Sequence, residues 1–142
     1  MKEKLKVAFV CTHNSCRSQM AEGLLRQFYG DKYEVFSAGV NPTEVDPNAI
    51  EVMKEIGIDI SNQTSKHVNE FLNQKFDIII TVCDNAKESC PVFLTEAQRL
   101  HWSFFDPAEA LGFQKDLLKA FREVRDQIKD AINNHFSKGE NK

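Results

Sequence analysis

Residues 5–30 read LKVAFVCTHNSCRSQMAEGLLRQFYG, and the order of residue types along this stretch decides the fold. Residues 5–10 are a short, mainly apolar run that stops at a polar loop, the pattern of a strand buried in a parallel sheet rather than one alternating at a surface. Beyond the loop, Met20, Leu24 and Phe28, with Ala21 and Leu25 beside them, recur at helical spacing until Gly30 closes the segment. The reading is strand, loop, helix.

The same alternation continues. Residues 33–38 read as a second strand, and 47–56 as a helix with Pro47 near its start and Gly57 beyond its end. Residues 76–82, FDIIITV, read as a central strand and 99–104 as a fourth. In 114–136 the positions Leu117, Phe121, Val124, Ile128, Ala131 and Ile132 predict a long amphipathic helix, with 137–142 expected to fray. Strands alternating with helices imply an α/β fold: a four-stranded parallel sheet with right-handed crossovers and helices on both faces. With no repeat, low-complexity tract or linker, residues 1–142 read as a single domain.

At 142 residues, the chain is long enough to bury roughly 70% of its unfolded surface without a disulfide staple. Its 42% hydrophobic and 27% charged residues are near the averages of globular proteins and indicate neither disorder nor a membrane span. A net charge of -3 argues against a nucleic-acid partner, so any anion site is local. The apolar part of the first ten residues is too short for a signal sequence, and the chain is expected in the cytoplasm as a monomer. Cysteines in that reducing compartment serve catalysis or metal binding more often than structural disulfides, which directs attention to Cys11, Cys16, Cys83 and Cys90.

In open parallel sheets the ligand sits beyond the carboxyl ends of the strands, where Thr12, His13, Asn14, Ser15, Cys16, Arg17 and Ser18 follow Cys11. A loop between a strand end and a helix start turns successive amides inward, making a nest for a tetrahedral oxyanion that the helix dipole reinforces. Arg17 adds a planar fork able to grip two oxygens. Cys11 at the mouth of this nest is a candidate nucleophile, with Ser18 placed either to hydrogen-bond its thiolate or to cap the helix, and Asn14 to brace the loop. Cys16 reads mainly as packing. A thiol pKa falling from about 8.5 to about 6 raises the thiolate fraction at pH 7 from roughly 3% to roughly 90%. The accompanying loss of nucleophilicity, about 13-fold, leaves only about a twofold gain in attack. The larger benefits lie in transition-state charge stabilisation and in departure of the Cys11 sulfur in a later step.

Cys83 and Cys90 bracket 84–89 directly after the central strand, on the same rim as Cys11. Their spacing does not suit structural zinc; a thiol relay suits them better. If 84–89 were helical, the two cysteines would stand roughly 10 Å apart along the axis, too far for a disulfide, so bonding would require that segment to unwind. An oxyanion transferred to sulfur needs a proton for its departing oxygen. Asp106, after the fourth strand, is the candidate acid, with Phe104 and Phe105 able to raise its pKa if they pack against it; it is also a turn-initiating Asp-Pro.

Together CTHNSCRSQMAEG (11–23), SAG (37–39), IDISNQTS (58–65), TVC…CP (81–91) and HW…DPA (101–108) resemble the thioredoxin-coupled arsenate reductases, which share the low-molecular-weight tyrosine phosphatase fold. The resemblance implies reduction of arsenate or a similar tetrahedral oxyanion by a triple-cysteine relay. Cys11 attacks arsenate, held by Arg17 and the loop and protonated by Asp106. Cys83 then forms a Cys11–Cys83 disulfide and releases arsenite, and Cys90 converts it to a Cys83–Cys90 disulfide. Thioredoxin is the external reductant, and no resident cofactor or metal is implied.

Three departures stand out. His13 occupies a position where some relatives carry glycine. Lys66 takes the place of the aspartate with which some relatives bind potassium through Asn, Glu and Ser, here Asn14, Glu22 and Ser37. Phe105 replaces a possible second acid. Two competing readings remain. A phosphatase using the same loop leaves Cys83 and Cys90 without a role, and a non-catalytic thiol redox or metal sensor would not turn over.

Overall fold

The computed structural model describes residues 4–71, 73–84 and 97–139, without the side chains of residues 138 and 139. Along them run β1 (Leu5–Cys11), α1 (Arg17–Tyr29), β2 (Tyr33–Gly39), α2 (Pro47–Lys54), a 3-10 turn at Val68–Phe71, β3 (Ile78–Thr81), β4 (Gln98–His101), a 3-10 turn at Pro107–Glu109 and α3 (Gln114–Gly139). The four strands form one sheet in the order β2-β1-β3-β4, with every pairing parallel.

β1 is internal, and its residues from Val7 to Cys11 are buried. Because successive strand residues face opposite sides, this run has to be covered twice. Val7 and Phe9 join Val35, Ile78 and Ile80 in one apolar cluster with Leu24 of α1, Met53 of α2 and Phe121 and Ile128 of α3. Ala8 and Val10 join Ile79 and Phe76 in the other, against which Phe36, Val68 and Phe71 pack. Helical structure therefore flanks both faces, unequally: three α-helices line one, and the Val68–Phe71 turn helps to cover the other. There the rings of Phe36, Phe71 and Phe76 meet edge to face, with centroids 5.3 to 6.0 Å apart. Phe76, the buried ring of the three, contributes about 1.5–3 kcal/mol relative to exposure.

The element boundaries differ from the sequence expectation for physical reasons. α1 begins at Arg17, three residues before the apolar stripe, because the polar residues of its first turn are buried around the loop. Gly30 ends α1 in a right-handed conformation (φ -65°), not a left-handed one. β4 stops at His101, where 99–104 was expected. It is an edge strand, largely exposed, and the apolar Trp102 and Phe104 leave the sheet to pack on each other at 6.4 Å, with Trp102 also 6.2 Å from Phe9. β3 likewise narrows to Ile78–Thr81 while Phe76 serves the ring cluster. α3 runs on to Gly139, through residues expected to fray, with the Ser137 hydroxyl donating to the Asn133 carbonyl. Asp84 has no regular secondary structure, and residues 85–89, the rest of the segment considered as a helix, lie with Cys90 outside the described residues.

α2 ends at Lys54 rather than at Ile56, because the chain reverses at Gly57, whose φ is 81°. The Gly57 amide donates to the Lys54 carbonyl at 3.0 Å and the Ile58 amide to Met53 at 3.0 Å, closing the helix as a left-handed glycine does. An added Cβ there meets nothing within 4 Å, so the cost of a side chain is purely conformational. Gly57→Ala is expected to lower stability by about 1 kcal/mol. This should appear as a lower urea midpoint with an unchanged slope, and Gly57→Asn should lose less; an alanine variant as stable as the parent would contradict the assignment.

Candidate active site

The loop after β1 is built by tying its carbonyls outward. Thr12 O accepts from Asn41 N at 2.9 Å, His13 O from Thr43 N at 3.2 Å, Ser15 O from Asp46 N at 3.0 Å and Cys16 O from Met20 N at 2.9 Å. The Ser65 hydroxyl also donates to His13 O at 3.0 Å, and Gln19 Nε2 donates to Asn14 O at 3.0 Å. No peptide in the described chain is cis. In a trans peptide N–H and C=O point in opposite directions, so each outward carbonyl turns the following amide inward. The concave side is a nest of donors at the start of α1, suited to an oxyanion.

Asn14 sets the curvature. Its φ is 49°, the one positive non-glycine value among the described residues, and asparagine tolerates that region better than most residues. His13, where some relatives carry glycine, has no positive φ; the left-handed residue is the next one along. The Asn14 side chain is fully committed: Oδ1 accepts from Lys66 N at 2.8 Å, and Nδ2 donates to Ser18 Oγ at 2.8 Å and Ser37 Oγ at 3.0 Å. Gly39, of the SAG motif, lets the loop rest on the end of β2; a Cβ there would lie 2.5 Å from Thr12 O and 2.8 Å from Cys11 O.

Cys11 is 2% exposed, and its Sγ lies 2.9 Å from Ser18 Oγ. Once Cys11 is ionised that bond has one sense, with Ser18 donating. The capping alternative for Ser18 is overturned: Cys16 is the N-cap of α1, without a side-chain capping bond. Arg17 is 3% exposed; its Nη1 donates to Phe104 O at 3.1 Å, and its Nη2 stands 3.6 Å from Asp106 Oδ2. Asp106 caps the Pro107–Glu109 turn, Oδ1 accepting from Ala108 N at 3.0 Å, while Oδ2 faces the site, the place expected of the candidate acid. The expected pair of flanking phenyl rings does not form: Phe104 is buried, whereas Phe105 is 45% exposed.

These groups converge on a cleft of about 60 Å³ lined by Cys11, His13, Ser15, Cys16, Arg17, Thr43, Asp106 and Ala108. Thr12, Asn14 and Ser18 stand behind it as supports. Thr43, Asp46 and Gln19 were missed in the sequence. Thr43 and Gln19 belong to no local pattern, whereas Asp46, directly before Pro47, carried a readable N-cap signal. Cys16 is packed, as expected, and burial pushes its thiol well above the ordinary value, with Asp46 and Asp106 adding to the effect. Cys83 is fully buried in the same cluster as Cys11. Val82 N donates to Val10 O at 3.0 Å, so the backbones leading into Cys11 and Cys83 run side by side. No disulfide joins Cys11, Cys16 or Cys83, and Cys90 lies outside the described residues.

A strand, an anion-cradling loop opened by cysteine and closed by arginine, and a helix are the build of a thiol-based oxyanion site. The chain belongs to the low molecular weight phosphotyrosine protein phosphatase family, whose sequence pattern matches residues 6–141. Within that family it is 48% identical over 125 residues to an arsenate reductase of Halalkalibacterium halodurans, covering 88% of this chain and 90% of that one. Among solved structures it is similar to an arsenate reductase in a phosphate-binding state, at 38% identity and a TM-score of 0.78, covering 94% of this chain and 98% of the other. It is also similar to a thioredoxin-dependent arsenate reductase of Corynebacterium glutamicum, at 27% identity and a TM-score of 0.68, covering 94% and 62%.

Behind the loop, Ser37 Oγ donates to Glu22 Oε1 at 2.5 Å, Arg26 Nη2 bonds Glu22 Oε2 at 2.5 Å, and Lys66 Nζ lies 4.0 Å from Glu22 Oε1. Glu22 is 5% exposed, so these cations offset the cost of burying its charge. Burial pulls the Lys66 ammonium below its ordinary pKa, Arg26 adding to that, while Glu22 and Glu70 oppose it. With a side-chain cation already beside Glu22, turnover is expected to agree within about twofold in potassium and sodium buffers, and Lys66→Asp to create a preference for potassium. A strong potassium requirement in the unaltered chain would contradict this.

Proposed function

We propose that this protein reduces arsenate to arsenite in the cytoplasm, with Cys11 as nucleophile and Cys83 and Cys90 passing the oxidising equivalents to thioredoxin. The observation that carries the reading is the pairing of a nest of inward amides around Cys11 with a second, fully buried cysteine, Cys83, in the same cluster. A hydrolase has use for the first and none for the second. The relative captured in a phosphate-binding state supports the oxyanion, and the thioredoxin-dependent relative supports the reductant.

The Cys11 thiolate, oriented by Ser18, attacks arsenic while the loop amides and Arg17 hold the equatorial oxygens, and Asp106 donates a proton so that the departing oxygen leaves as water. Cys83 then attacks Cys11 Sγ. The sulfur–arsenic bond breaks, its electron pair stays on arsenic, and arsenite leaves behind a Cys11–Cys83 disulfide. Both sulfurs are buried, Cys11 at 2% and Cys83 at 0% exposure, so a protein reductant has no approach to that bond. Exchange with Cys90, giving Cys83–Cys90 and releasing Cys11, removes the obstacle.

The same loop suits phosphate esters, but among the described residues no phenyl, phenol or indole side chain lines the cleft. Only weak aryl phosphatase activity is therefore expected. In an assay with thioredoxin, thioredoxin reductase and NADPH, the native chain should turn over repeatedly. Cys90→Ser should stop after about one arsenite per chain with the Cys11–Cys83 bond trapped, and Cys83→Ser should release none. Undiminished multiple turnover by Cys90→Ser would sink the relay.

A further inference from the structure

Two thiols, those of Cys11 and Cys16, line one cleft, yet the function proposed above uses only Cys11 there. Cys16 is 5% exposed, and its Sγ donates toward Asp46 Oδ2 at 3.7 Å and Ser15 Oγ at 3.8 Å. Asp46 is clamped beside it. As the N-cap of α2 it accepts from Asn48 N through Oδ1 at 2.8 Å, and its own amide donates to Ser15 O at 3.0 Å. Loop and helix together therefore hold a carboxylate against the thiol, and the Cys16 proton lies between two centres that would repel once it left. Burial itself disfavours the thiolate most, Asp46 adds to it, Asp106 from the Pro107–Glu109 turn and Cys11 from the end of β1 add further like charge, and the Ser15 hydroxyl opposes them.

We infer that Asp46 is a positioning residue that keeps Cys16 in the thiol form, so that arsenylated Cys11 is resolved by Cys83 and not by a cysteine of its own loop. The inference rests on the proposed arsenate chemistry. In the suppressed reaction the Cys16 thiolate attacks Cys11 Sγ, the sulfur–arsenic electron pair passes to arsenic, arsenite leaves, and the two sulfurs are oxidised to a Cys11–Cys16 disulfide. That bond would lie within the loop that must bind the next oxyanion, with both sulfurs buried away from a protein reductant. Since the thiolate is the attacking species, each tenfold fall in the ionised fraction of Cys16 slows this diversion in proportion.

Asp46→Asn removes the charge and keeps the cap, because asparagine caps helices as well as aspartate does; Asp46→Ser does the same with a different side chain, and unchanged melting midpoints verify both. In a Cys90→Ser background, reduced protein receives stoichiometric arsenate without reductant across neutral to alkaline pH. Disulfides are then trapped by alkylation and mapped by mass spectrometry. Loss of the adjacent charge is expected to raise the share of Cys11–Cys16 over Cys11–Cys83 about three- to tenfold at a given pH, with the profile moving to lower pH. Asp46→Glu should restore the native partition. An unchanged share and profile in both the Asn and Ser variants overturns the inference. A parallel arm replaces arsenate with diamide, which oxidises thiol pairs without oxyanion chemistry. The same rise there, with no arsenite formed in the first arm, supports the role of Asp46 while defeating the arsenate reading; no rise in either arm defeats the role itself.

Discussion

The site depends on the side chain of Asn14. A loop that must present its amides to one side has to bend through a left-handed residue, and that bend holds only if the surroundings over-determine it. Asn14 meets the requirement with three side-chain bonds, to the Lys66 amide and to the hydroxyls of Ser18 and Ser37. One of those hydroxyls lies against Cys11 and the other against Glu22. A single buried amide thus joins the Cys11 sulfur to the ionic cluster behind the loop; Ser18 and Ser37 are themselves buried, and Lys66 is held by the bond its carbonyl accepts from Gly39 N. In a low-dielectric interior such a network is strong when complete and costly when broken.

Everything else in the fold serves to keep that bend in register. The parallel sheet sets β1 between β2 and β3, so the loop leaves the sheet with Gly39 on one side and the residues after Thr81 on the other. Neighbouring segments tie down its carbonyls: 41–46 ahead of α2, 64–66 ahead of the first 3-10 turn, and Gln19 from α1. Asp106 arrives from the far edge of the sheet, on the turn after β4, and meets Arg17 across the cleft. Most of these are long-range constraints, satisfied largely by backbone atoms.

That division explains what could be read from the sequence. The strands, the helices and the positions of Cys11, Arg17, Ser18 and Asp106 follow from local rules: buried runs, helical spacing, and the place of ligand loops in parallel sheets. Boundaries were less legible where an apolar residue serves tertiary packing instead of a strand, as Trp102, Phe104 and Phe76 do. The loop's bracing was partly legible, since Asn14 was recognisable as a brace, but its partners Lys66 and Ser37 are supplied from 52 and 23 residues away, and no spacing rule reaches that far. Asp46 escaped notice as part of the site for a different reason: its capping role is local and readable, whereas its contact with Cys16 exists only once α2 has docked.

The central claim is that Asn14 creates the oxyanion site by holding the amides inward. It is tested most directly by measuring arsenate affinity calorimetrically in a Cys11→Ser background, where binding proceeds without chemistry, with and without Asn14→Ala. The account predicts that Cys11→Ser alone binds arsenate and that adding Asn14→Ala weakens binding at least about tenfold, since the left-handed turn and its hydrogen bonds are lost together. Equal affinity in the two proteins, with the fold intact, would contradict it.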